Sequence, residues 1–179
     1  MRDDITSIPI SEIFEKNDGC PVCRLRDMLE ERSVKYITGA AMMEPDVRIE
    51  TNKTGFCRLH YGQMLKIGKK LNVALMLQSH LAEISKIGLT KVNVKTKTGA
   101  ESCFICNKIN RNMEQLMLNI CRLWEREKEF RNIYSEQPFV CLEHCQRLTE
   151  AANKMPKKLR KEFVEKTIEL THKQLEELA

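Results

Sequence analysis

The residues best equipped for chemistry in this chain are its eight cysteines and four histidines, because thiolate and imidazole are the side chains that bind transition metals most strongly. Six of the cysteines and two of the histidines fall into a repeated spacing. Cys20-Pro-Val-Cys23 is followed after 33 residues by Cys57-Arg-Leu-His60, and Cys103-Phe-Ile-Cys106 after 34 residues by Cys141-Leu-Glu-His144. Two cysteines three apart can place both sulfurs on one ion. A cysteine and a histidine at i and i+3 share a helix face, and the helix N-terminus favours the thiolate form. Three sulfurs and one imidazole suit a tetrahedral Zn2+, so two zinc ions are expected. An iron–sulfur cluster is the alternative that the ligand types leave open.

The offset between the two sets is 83 residues at the CxxC pair and 84 at the CxxH pair, which is the signature of an internal duplication. Each half is therefore expected to close its own site, with Cys20, Cys23, Cys57 and His60 in the first and Cys103, Cys106, Cys141 and His144 in the second. Cys145 competes with His144, but its counterpart in the first half is Tyr61, whereas His144 matches His60. Cys121 lies among Met117, Leu118, Ile120 and Leu123 and reads as a small buried hydrophobe. His80 and His172 do not align under the offset, so no third site is expected. A thioredoxin-like use of CxxC would need a βαβ setting that is not visible.

Few glycines, prolines and aromatics, with abundant Leu, Met, Lys and Glu, point to an all-α class with at most minor short strands. The expected organisation is a first metal-binding helical repeat over 1–90, a linker or short strand over 91–102, and a second repeat over 103–179. In the first half the periodicity predicts a helix from about Cys23 to Met42, an extended stretch over Val47 to Thr51, a turn at Thr54-Gly55, a helix from Cys57 to about Lys69 and another over Leu71 to Ile87. The second half is expected to hold one long helix from about Cys106 to Ile133, then Cys141 to Met155, then Lys157 to Leu178 behind Pro156.

The start of the chain has acids where a secretory signal needs bases, and no apolar run approaches the roughly 20 residues of a membrane span. A cytoplasmic protein without membrane insertion is expected, and a reducing compartment favours metal binding over disulfides. The formal charge of +5 resides mostly in the second half, where Lys154, Lys157, Lys158, Arg160 and Lys161 cluster. Without interleaved aromatics they read as a solvated helix start, and nucleic-acid binding is weakly supported. In the last helix Val164, Ile168, Thr171, Leu175 and Leu178 form a stripe that packs on its own domain or serves a homodimer or partner helix. Nine methionines fill a core or make an adaptable face.

Both sites look closed by four protein ligands, as structural zinc sites are, and no HExxH, Walker, GxGxxG or GxSxG motif nominates catalytic residues. The expected function is a zinc-stabilised helical interaction or regulatory protein with an unidentified protein partner. The alternatives are a metal- or redox-responsive sensor and an enzyme using a cleft between the repeats. The strings GCPVC, EPDVRIETNKTGFCRLH and CFIC…VCLEHC resemble a family of uncharacterised bacterial cytosolic proteins with paired CPxC…GFCxxH units. That resemblance covers nearly the whole chain and implies the ligands and architecture, but no reaction. Phe104 in place of proline, and Phe139-Val140 in place of Gly-Phe, are the second half's departures from the pattern.

Overall fold

The computed structural model describes residues 10–87 and 102–177, and within them all regular structure is helical, with no strand. The expected linker falls largely outside the described residues. Among the described residues nine α-helices follow one another: α1 Ile10–Phe14, α2 Pro21–Thr38, α3 Pro45–Thr54, α4 Arg58–Lys66, α5 Lys70–Ile87, α6 Phe104–Arg126, α7 Lys128–Ser135, α8 Leu142–Ala151 and α9 Lys157–Glu177. The duplication is visible in that order, since α2 to α5 recur as α6 to α9. No described helix is long and apolar enough to cross a membrane.

Three expected elements differ. The stretch Val47 to Thr51, expected to be extended, lies within α3. Pro45 occupies the first helical position, where its missing N–H costs nothing. Gly55 ends the helix at φ 63°, its N–H donating to Thr51 O at 2.8 Å. The single long helix over Cys106 to Ile133 is two, broken where Glu127 turns extended at φ −119°, ψ 111°. Arg131 covers the break, donating to Trp124 O at 2.6 Å and to Glu125 O at 3.0 Å, which satisfies carbonyls at the end of α6. The first long helix stops at Thr38, and a 3-10 turn takes over at Ala40–Met43.

Packing divides the chain into two compact units that do not coincide with the expected halves 1–90 and 103–179. One unit comprises Met1–Met28 with Arg111–Ala179, the other Leu29–Asn110. Both boundaries fall inside helices, α2 and α6, so each unit draws on both repeats. The first unit is built around aromatic rings. Phe14 stacks on Tyr134 with centroids 5.6 Å apart, and Trp124 and Phe163 each approach the Tyr134 ring at 5.3 Å. Thr167 spends its hydroxyl proton on Phe163 O at 2.7 Å, so Tyr134 donates to Thr167 at 2.8 Å. Burial holds the Tyr134 phenol above its usual range. The last helix packs within this unit through Phe163, Thr167, Leu170 and Thr171. The expected stripe is rotated in consequence, and Ile168 and Leu175 are exposed.

In the second unit α3 packs on α5, and Leu29, Val34, Ile37, Met64, Val73, Met76 and Ile109 are buried in the core. Arg48 donates to Ser79 and Asn72 Nδ2 to Thr38 O at 2.9 Å, so polar contacts reinforce the same packing.

Candidate metal centres

Each CxxC straddles the start of a long helix. Cys20 precedes Pro21 at the head of α2 with Cys23 in its first turn, and Cys103 and Cys106 hold the same places around the start of α6. Each CxxH opens a shorter helix. Cys57 is the N-cap of α4 and Cys141 of α8, both with extended backbone and neither thiol spent on a capping bond. His60 and His144 follow in the first turns and are both 2% exposed.

The structure brings these eight residues into two clusters of four, joined crosswise. Cys20, Cys23, Cys141 and His144 form one, and Cys57, His60, Cys103 and Cys106 the other, with all ligand atoms of a cluster within 4.8 Å of one another. The expected grouping of each CxxC with the CxxH of its own half is therefore corrected. The physical reason is where the first CxxH is held along α2. His60 meets α2 at Glu30, seven residues or about 10 Å along the helix from Cys23, and there Cys57 and His60 close on Cys103 and Cys106 instead. The two ends of α2 belong to different units, and Cys57 meets the other CxxC.

Both imidazoles face the sulfurs through Nδ1. In the first unit His144 Nδ1 lies 3.1 Å from Cys141 Sγ, 3.3 Å from Cys23 Sγ and 3.7 Å from Cys20 Sγ, and Cys23 and Cys141 sulfurs are 3.8 Å apart. In the second, His60 Nδ1 lies 3.2 Å from Cys57 Sγ, 3.2 Å from Cys103 Sγ and 3.4 Å from Cys106 Sγ, with Cys57 and Cys106 sulfurs 3.9 Å apart. These are the edges of two compact polyhedra of four donors each, and both groups could hold a metal ion. Cys121 and Cys145 are buried and, like His80 and His172, stand outside the clusters. His80 instead donates from Nδ1 to Asn52 O at 2.7 Å.

The electrostatics of the thiols have the same sense. Burial, then the neighbouring Cys103 and Cys57, push Cys106 up to about 12. Burial and the nearby Cys20 and Cys141 raise Cys23, and burial chiefly raises Cys103 and Cys141. Cys20 is the exception. Burial raises it, but the His144 ring and the backbone N–H groups of Cys141 and Cys23 outweigh that and bring it to about 7. Thiols crowded in this way resist joint ionisation unless a cation shares the site, and a bound divalent ion would reverse the order.

Two supports escaped the sequence reading. Arg24, one residue beyond Cys23, gathers the loop before Cys20. It donates to the carbonyls of Ile13, Lys16, Asp18 and Gly19 at 2.6 to 3.0 Å and pairs with Asp18 at 3.1 Å. Glu30 accepts from His60 Nε2 at 3.0 Å. No local spacing announces Glu30, because its histidine is 30 residues away. The departures from the repeat pattern acquire a role as well, since Phe104 donates its N–H to Gly55 O at 3.0 Å, tying the two halves of one cluster. Proline at the matching position, Pro21, has no such donor.

The fold and sites define a class, a duplicated all-helical protein with two Cys/His clusters, each capable of holding a metal ion. The family described as Family of unknown function (DUF6062) matches twice, over residues 1–98 and 85–179, and the chain belongs to it. No curated protein and no solved structure gives a significant match.

Proposed function

We propose that the chain is a zinc-binding helical interaction protein whose two ions fix the helix starts of its two units. The observation that carries this is the shape of the clusters. Zinc bonds of about 2.3 Å to sulfur and 2.0–2.1 Å to nitrogen imply tetrahedral edges of about 3.8 Å between sulfurs and about 3.6 Å between sulfur and nitrogen. The sulfur pairs at 3.8 and 3.9 Å, and sulfur–nitrogen pairs at 3.1 to 3.7 Å, fit that frame. Four protein donors per ion close the shell, which favours a structural role over Lewis-acid catalysis. An exposed apolar face on α5, with Leu71 at 70% and Leu81 at 53% exposure and Leu75 and Leu77 also exposed, supports presentation to a protein partner.

Metal analysis with an absorption spectrum, on protein purified without oxygen, tests the reading. Two colourless zinc ions per chain are expected. Iron with visible absorption would replace it with electron transfer or sensing, and protein that binds no metal would end it. A second reading, a redox-responsive sensor, draws support from the partial exposure of Cys23, Cys57, Cys106 and Cys141, which gives an oxidant access to ligand sulfurs. Reversible zinc release at low peroxide distinguishes it from a static scaffold.

A further inference from the structure

The two histidines differ at the nitrogen that faces away from the sulfurs. When Nδ1 ligates an ion, Nε2 must carry the proton and needs an acceptor. His60 has one in Glu30, at 3.0 Å, and the Glu30 side chain is only 16% exposed. His144 is equally buried, yet its Nε2 has no hydrogen-bond partner among the described residues. At the 83-residue offset of the CxxC pairs, the position matching Glu30 is Met113, which is buried and apolar. The duplicated sites have therefore diverged behind the histidine while keeping the same four donors.

We infer that Glu30 is a positioning residue that makes Cys57–His60–Cys103–Cys106 the retentive metal site and leaves Cys20–Cys23–Cys141–His144 the exchangeable one. The inference rests on the metal-binding proposal above. A carboxylate behind the ring fixes the tautomer that presents a lone pair at Nδ1, holds the ring plane, and raises the imidazole's donor strength. A buried N–H without an acceptor does none of these, and ligation polarises it further. Such partners typically change metal retention by about 10- to 100-fold. One ion would then stay with the fold while the other exchanges with the surrounding metal pool, giving a single chain one permanent and one responsive site.

The test is the transfer of zinc from the full chain to an excess of a chromogenic chelator. The wild type should release two equivalents in two phases of one equivalent each. Cys57→Ser should abolish the slow phase, and Cys141→Ser the fast one. Glu30→Ala should accelerate the slow phase by about 10- to 100-fold and leave the fast phase unchanged. Glu30→Gln, which keeps shape and a neutral acceptor, should fall between wild type and Glu30→Ala. Release of both equivalents in one phase, or equal acceleration of both phases in Glu30→Gln, would overturn the inference while leaving metal binding intact. A chain that binds no zinc would remove both.

Discussion

At the scale of single residues, the thiols decide how the clusters respond to pH. Metal binding must displace protons from groups that the fold holds protonated, notably Cys106 at about 12 and the raised Cys23, Cys103 and Cys141. Acidification therefore favours metal loss, by about tenfold per pH unit for each proton displaced. Chelator competition between pH 8 and 6 should show retention falling at least tenfold per unit, and a flat profile would contradict the proton count. In the metal-free chain the raised and the lowered thiols act in opposite senses. A thiol at 9 when unfolded and about 12 when folded contributes stability that is fully present below 9 and is lost as pH rises towards 12. Cys20, lowered to about 7, contributes stability that is present above 9 and lost as pH falls through 7.

Helices and their ends set where those residues stand. Arg24, in the first turn of α2, supports the first CxxC by gathering four carbonyls of α1 and the loop that follows it. Replacing it with alanine should destabilise the first unit by about 2 kcal/mol and speed metal loss from Cys20–Cys23–Cys141–His144 alone. Thermal melting with site-resolved metal release checks this, and equal loss from both clusters would count against it. Most of this level was legible from local pattern. CxxC and CxxH identify their own helix starts because i to i+3 spacing is a local property, and the 3.6 period marks α5, α8 and α9. The break at Glu127 was not legible, since no glycine or proline marks it and the residue that stabilises it, Arg131, acts from the next helix. The helical state of α3, where an extended stretch is expected over Val47 to Thr51, was not legible either, because α3 is held by its packing on α5.

For the whole molecule the decisive fact is that two sequence repeats and two packed units are different divisions of one chain. Donor types and even donor residues can be read from spacing, but which CxxC meets which CxxH is a tertiary fact, invisible to a pattern that either pairing satisfies equally. The crosswise pairing makes each cluster depend on both repeats, so losing one ion should loosen one unit rather than one repeat. Zinc bound as proposed would contribute on the order of 10 kcal/mol per site, enough for that coupling to govern folding. The most direct measurement is the zinc content of paired cysteine variants. Cys20→Ser with Cys141→Ser damages one cluster and should leave one ion, whereas Cys20→Ser with Cys57→Ser damages both and should leave none. One ion in the second variant and none in the first would contradict the crosswise assembly and restore a closed site within each repeat.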